Sequence, residues 1–356
     1  MKKSLIALAV FGAFTGVASA ADSVQLYGIL DVGIGRYDNG TSTQTGMFDS
    51  GWNTSRIGVK GSEDLGGGLS AIFQAEWGFT PSQNAGINNG RDTFVGLQGG
   101  FGTVTMGRIS TFTDGLVGTY DLLGGNASVG GVGNISPDLD PNSRNNTVLS
   151  YVSPTFSGVG LGAQYIFGNG QGATYANQTT GGYNLTAGYN NGPISVGAAY
   201  LRFNESNGDA MYKNSLIGAS YDFGVAKVAG MYVYNNLTAT NNKYKAFNIG
   251  VSVPFGASTV MATYSQGKYD NALNASTSGT GKAKQISLGY TYALSKRTMV
   301  YGVYSHISNS DGSFAMASSG VSGLTLAGNT LADGTSVPGV PGKNSSGINV
   351  GISHSF

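Results

Sequence analysis

The chain has 356 residues, with 19 Lys and Arg against 18 Asp and Glu, 10% charged residues in all, 59 Gly, 20 Tyr, 16 Phe, 8 Pro and no Cys. A soluble domain ordinarily carries about 25% charge, so the surface is short of ions, and the near balance of charge excludes the basic footprint of a nucleic-acid binder. The lack of Cys excludes disulfides and thiolate metal centres, and leaves stability to backbone hydrogen bonding and packing.

At the start, Lys2 and Lys3 lead into an apolar run from Leu5 to Val17 that closes on Ala18-Ser19-Ala20. This pattern predicts a secretory signal over residues 1–20, cleaved before Ala21. Its removal leaves 17 bases against 18 acids. The run is too short for a spanning helix, and no later stretch reaches the roughly 18 apolar residues that one needs. Any membrane crossing therefore falls to strands, within a single domain over residues 21–356.

From Val24 the sequence alternates with a period of two. Val24, Leu26, Gly28, Leu30, Val32 and Ile34 form one face of the first segment, and Gln25, Tyr27, Ile29 and Asp31 the other. Similar alternation marks Ser55–Ser62, Leu69–Phe79, Arg91–Gln98, Gly102–Ile109, Arg144–Val152, Val159–Phe167, Tyr183–Asn190 and Ile194–Phe203. It continues in Ser215–Phe223, Ala226–Asn235, Phe247–Val253, Ser258–Gln266, Gln285–Tyr292, Thr298–His306 and Ile348–Phe356. Segments of about ten residues suit the apolar band of an outer membrane when strands tilt near 45°. The expected fold is an all-β, 16-stranded antiparallel transmembrane β-barrel, and the even count puts both termini on one side.

The connections alternate short and long. Gly99-Gly100, Asn191-Gly192, Asp222-Phe223-Gly224 and Pro254-Phe255-Gly256 carry tight-turn chemistry and are expected on the periplasmic side. The longer polar stretches are Tyr37–Thr54, Thr80–Gly90, Ser110–Ser143, Gly168–Gly182, Asn204–Lys213, Asn236–Lys243, Gly267–Lys284 and Ser308–Gly347, expected as extracellular loops. Loops of such length are uncommon unless functional or disordered.

Several stretches resemble the trimeric general porins of Gram-negative bacteria, of the β-proteobacterial kind. They are SRIGVKGSEDLGGGLSAIFQAEWGF from Ser55, RDTFVGLQGGFGTVTMGR from Arg91, NNTVLSYVSPTFSG from Asn145, YALSKRTMVYGVYS from Tyr292 and INVGISHSF at the end. The resemblance implies a homotrimer, a third loop folded into the lumen as a constriction (about residues 110–143), and Phe356 as a terminal aromatic read by the outer-membrane assembly machinery. It also implies small hydrophilic solutes and ions as cargo, outer-membrane lipid and lipopolysaccharide as surroundings, no cofactor and no enzymatic activity. A substrate-specific channel is the nearest alternative; a barrel enzyme or an adhesin is more remote.

In a barrel of this size, selectivity depends on what narrows the channel and which charges line the narrows. The third loop carries Asp114, Asp121, Asp138 and Asp140, with Gly124, Gly125, Gly130, Gly131 and Gly133 allowing compact folding. By parity Arg56 and Lys60 point inward opposite lipid-facing Ile57 and Val59, Glu76 shares the inward face with Gln74, and Arg144 is inward if Leu149 and Tyr151 face lipid. By resemblance Arg56, Arg91 and Arg144 match constriction arginines, and Glu76 a nearby acid. Strict parity places Arg91 with Val95 and Leu97, and Arg108 with Val104 and Met106, unless a bulge redirects them. The arrangement predicts weak anion selectivity.

Other features resolve into ordinary ones. His306 with Ser308 lacks an acidic partner, and His354 reads as an interfacial ring. The run Asp138-Leu139-Asp140-Pro141-Asn142 lacks the Gly and Glu of a calcium loop. Tyr and Phe cluster near segment ends, as expected of aromatic girdles.

Overall fold

The computed structural model describes residues 23–82, 86–123, 129–135, 143–168, 181–204, 210–238, 242–269, 281–310, 329–330, 336–337 and 342–356. The expected signal over 1–20, Asp138, Asp140, Gly124 and Gly125 lie outside them.

Alternating side chains let each segment bury one face and expose the other, so the chain is free to pair strand to strand around a closed ring. The strands are β1 (Ser23–Asp38), β2 (Thr43–Asp49), β3 (Arg56–Gly66), β4 (Leu69–Phe79), β5 (Ile87–Gly99), β6 (Gly102–Ser110), β7 (Arg144–Val152), β8 (Val159–Ile166), β9 (Gly182–Asn191) and β10 (Ile194–Asn204). They continue with β11 (Ala210–Asp222), β12 (Lys227–Leu237), β13 (Asn242–Phe255), β14 (Ser258–Tyr269), β15 (Lys282–Ala293), β16 (Thr298–Asn309), β17 (Asn329–Thr330), β18 (Ser336–Val337) and β19 (Ser345–Ser355). Sixteen of them, β1, β3 to β16 and β19, form the wall, each antiparallel to its neighbours, and β17 with β18 makes a separate two-stranded ribbon. The ring closes where β1 pairs with β19, from Ile29 opposite Ser355 to Asp38 opposite Ser346. The sixteen expected segments all lie on wall strands. Turn glycines with positive φ, Gly192 at +56° and Gly256 at +61°, reverse the chain at the short connections.

Burial is inverted relative to a soluble protein. On β15 the polar Gln285 and Ser287 are 0% exposed, whereas Ile286 and Leu288 are 56% and 52% exposed. The apolar face looks outward and the polar face inward, the pattern a lipid-embedded barrel requires.

The connection expected as a loop over Tyr37–Thr54 is half strand. Asn39 to Ser42 form a tight turn, and β2 descends along β1 from Asp38 opposite Thr43 to Val32 opposite Asp49. Beyond it β3 takes over the same edge of β1, from Ile29 opposite Arg56 to Ser23 opposite Ser62. The six residues between, Ser50 to Ser55, form an insertion clasped by the fully buried Asp31. The Asp31 carboxylate accepts N–H bonds from Gly51 (3.1 Å) and Asn53 (2.9 Å) and the Tyr301 hydroxyl (2.7 Å). Ser55 Oγ donates to the Asp31 carbonyl at 3.2 Å.

The connection after β6 turns into the barrel and holds a short helix, α1 (Phe112–Tyr120), and a 3-10 turn at Val132–Asn134. Thr111 caps α1, its hydroxyl accepting the Asp114 N–H at 3.0 Å. Phe112, Thr113, Leu116, Val117 and Tyr120 form the buried stripe. They pack with Ala199, Leu216, Met231 and Val233 of β10 to β12, so the apolar core lies inside the barrel, between loop and wall. Inward-facing glycines receive the loop. A Cβ on Gly162, Gly197, Gly218 or Gly289 would stand 2.2–2.8 Å from Phe112, Leu116, Tyr120 or Leu123 respectively. Hydrogen bonds fasten the same path, from Asn184 accepting the Phe112 N–H (2.6 Å) to Tyr244 Oη and Gln285 Nε2 donating to the carbonyls of Ile135 (2.8 Å) and Gly130 (2.9 Å).

Gly218→Val should therefore push Tyr120 off the wall into the lumen. Overpacking of this kind costs about 1–3 kcal/mol, and the channel should conduct less while the barrel still assembles. Thermal unfolding and single-channel conductance both equal to wild type would refute the packing described.

Candidate functional site

Two clusters of charge stand on the inner wall of β3, β4, β5 and β7, while the loop follows the wall from β8 to β16. In the first, Glu76 is buried at 6% exposure and forms an ion pair with Arg91. It also accepts the Tyr27 hydroxyl at 3.0 Å, and Arg56 Nη1 lies 3.9 Å away. Arg56 Nε donates to the Thr54 carbonyl at 2.9 Å, so the insertion held by Asp31 aims this guanidinium. Lys60 Nζ sits 5.2 Å from the centre of the Tyr27 ring, a cation–π contact. In the second cluster Asp92 accepts from Arg144 Nε and from Ser110 Oγ, both at 2.8 Å.

Two bulges build this arrangement. Between β4 and β5 the register passes from Ala75 opposite Thr93 to Trp77 opposite Gly90, leaving Arg91 and Asp92 together opposite Glu76. A bulge of two against one redirects side chains, which is why Arg91 leaves the outward parity of Val95 and Leu97 and meets Glu76. Between β6 and β7 the register passes from Gly107 opposite Val148 to Ile109 opposite Asn145, so Asn146 and Thr147 oppose Arg108. Thr147 takes a φ of +53° there. Arg108 is held at this bulge, with Nε donating to the Gly90 carbonyl (2.8 Å) and Nη1 to Asn146 Oδ1 (2.7 Å).

The two loop acids part company. Asp114 is half-buried on the face of α1 turned away from the wall, beside the exposed Gly118. Asp121 is 2% exposed, and its carboxylate accepts the backbone N–H of Leu123 (3.1 Å) and Val132 (2.7 Å). It is a brace that holds the loop's turn. Burial pushes the Tyr120 phenol above its ordinary range, so the hydroxyl paired with Ser195 Oγ at 3.0 Å stays neutral.

Asp92 and Tyr27 are partners that sequence reasoning passed over. The adjacency of Asp92 to Arg91, next to a predicted parity conflict, was the available signal. Arg56, Lys60, Arg91, Arg108 and Arg144 against Glu76 and Asp92 leave three positive charges in excess. Cations in excess along a narrow aqueous path favour anions, and carboxylates across it add a transverse field.

Glu76→Gln removes the acid that holds Arg56 and Arg91 and raises the excess by one charge. Anion preference, read as reversal potential under a KCl gradient, should increase. An unchanged or cation-shifted potential would place Glu76 outside the field that ions experience.

Residues 6–312 match the Gram-negative porin family. Across the full length of both chains, 35% of residues are identical to outer membrane porin protein 32 of Delftia acidovorans. The major outer membrane protein P.IB of Neisseria meningitidis is 36% identical over 58% of this chain and 61% of its own length. Among solved structures, the anion-selective porin from Comamonas acidovorans superposes with a TM-score of 0.77 at 30% identity, over 94% of this chain and all of that one. With the closed sixteen-stranded ring and its inverted burial, these matches establish that the chain belongs to the Gram-negative porin family and is a porin of the outer membrane.

Proposed function

We propose that the wall of Arg56, Lys60, Arg91, Arg108 and Arg144, facing Asp114 on the loop, is the selective constriction of a general diffusion pore that passes small hydrophilic solutes and prefers anions. The observation that carries it is the excess of cations on β3, β5, β6 and β7, with Arg56 and Lys60 on a regular lumen-facing stretch and Arg91 and Arg108 at two bulges. The name of the Comamonas relative, an anion-selective porin, supports the same sign. Arg56 is the sharpest probe, being inward by parity and, at 21% side-chain exposure, open to the lumen.

Arg56→Glu changes the lumen charge by two units. The Debye length grows from about 8 Å at 0.15 M salt to about 30 Å at 0.01 M. Reversal potential should thus move toward cations, and the shift should widen as salt is diluted, with assembly intact because the residue bears no lipid. Selectivity equal to wild type at low salt would remove Arg56 from the constriction.

The working unit in this reading is a homotrimer, and Phe356 is its assembly signal. Phe356 also completes the seam, since its N–H donates to the Gly28 carbonyl (3.1 Å) and its carbonyl accepts the Gly28 N–H (3.2 Å). Two variants separate the roles. Deleting Phe356 removes both bonds and ring, whereas Phe356→Ala removes the ring alone. Both should leave the chain in the periplasm; normal surface levels of Phe356→Ala would assign the terminus to the seam and refute a signal read from the ring.

A further inference from the structure

Under the distal part of the loop, inward positions on three neighbouring strands carry polar side chains: Asn248 on β13, Thr263 and Ser265 on β14, and Gln285 on β15. Asn248 stands opposite Ser265 and Ser265 opposite Gln285, with Thr263 one inward step toward the periplasm. All four are at most 4% exposed. Among the described residues, three of their oxygens, Asn248 Oδ1, Thr263 Oγ1 and Gln285 Oε1, have no hydrogen-bond partner.

The bonds these side chains do make fix how the oxygens lie. Gln285 Nε2 donates to the carbonyls of Gly130 (2.9 Å) and Gly131 (3.2 Å) and to Ser287 Oγ (2.9 Å). Turning that amide over would set its oxygen against two carbonyl oxygens, so Oε1 is the end left over. The Ser287 hydroxyl is directed onward to Ser305 Oγ at 3.0 Å and not back to Oε1. Asn248 Nδ2 donates to Ser265 Oγ at 2.8 Å, and the reverse orientation would strand the nitrogen in place of the oxygen. A rim closes the patch. Tyr244 covers Gly267 on the extracellular side, Leu122 and Leu123 lie over Gly250 and Gly289 on the periplasmic side, and Val303 flanks Gly130.

A buried oxygen without a donor bears the full desolvation cost of that group, and three on adjoining positions are exceptional in a native interior. What satisfies them must be small, must donate hydrogen bonds and must be trapped behind the rim. The three oxygens are neutral, so a cation would carry its charge into low dielectric with no carboxylate among them to balance it. Water donates two bonds, can accept one from the Thr263 hydroxyl, and is held by two to four polar partners.

We propose that Asn248, Thr263 and Gln285 form a site for ordered internal water between the barrel wall and the loop. The loop is then seated in two ways. Along β8 to β12 the seat is dry, with Phe112, Leu116 and Tyr120 packed on the wall. Along β13 to β15 it is hydrated, and Gln285, which carries the Gly130 and Gly131 carbonyls, joins the water to the loop backbone. The inference stands apart from the selectivity of the pore, since no charged residue takes part.

Thr263→Val keeps the shape of the side chain and deletes the hydroxyl, and the sign of its effect on the assembled protein is diagnostic. In a dry patch the change removes an unpaired polar atom, so the melting temperature stays equal or rises. At a water site it removes one of the water's partners, and the melting temperature should fall by about 2 °C. The fall should be the same in sodium, potassium and choline chloride at equal ionic strength. A high-resolution map of the wild type should carry solvent density within hydrogen-bond distance of Thr263 Oγ1 and Gln285 Oε1. An equal or raised melting temperature, a map without that density, or a stability that follows the identity of the cation would each overturn the site. If Thr263→Val does not assemble, the wild-type map decides alone.

Discussion

In lipid no water satisfies a backbone N–H or C=O, so a sheet with a free edge cannot persist and the ring must close on itself. Here closure is the pairing of β1 with β19, the last two hydrogen bonds of which join Gly28 to Phe356. The remaining architecture follows from that requirement. A closed wall has an outside bathed in acyl chains and an inside filled by water and loop. Apolar side chains must therefore be exposed and polar ones buried, as on β15. The inside also becomes the one place where a long polar loop finds partners without crossing lipid.

The sixteen wall strands were legible because their signal is local: a period of two over about ten residues, cut by turn glycines whose φ an L side chain rarely adopts. The charged wall was legible in part. Arg56, Lys60 and Glu76 sit on a regular stretch, where parity gives the facing directly. Arg91 does not, because its direction depends on a count of two residues against one across the β4–β5 pair, a property of the pairing that neither strand encodes alone. Asp92 was invisible as a partner for the same reason. β2 escaped notice because Thr43–Asp49 is short and mostly polar, and resembles the turn residues around it. The helix α1 is nine residues long with glycines at 115 and 118, a weak pattern whose one clear sign was Thr111 three residues before Asp114. Asp121 was read as a charge for the pore because sequence gives a residue type but not the backbone N–H groups that consume it.

The same residue types do unlike work on the two faces of one wall. Inside, guanidinium groups stand beside carboxylates on the lumen wall. Outside, lysines in register with one another border aromatic rings and hydrocarbon. A single step of strand parity separates these environments, which makes register the quantity that decides whether a basic residue faces the lumen or the membrane.

Asp31 joins these themes in an unexpected place. It lies on the first strand, yet its hydroxyl partner, Tyr301, comes from β16, and the segment it holds includes Thr54, the acceptor that aims Arg56. The setting of that guanidinium thus reaches, through Asp31, the C-terminal strands seated beside the N-terminal one. An open or partly threaded sheet has the same arginine without the same aim. The aim of Arg56 is in this sense a property acquired at completion, so that an unfinished barrel and a closed one are different states of the same chain.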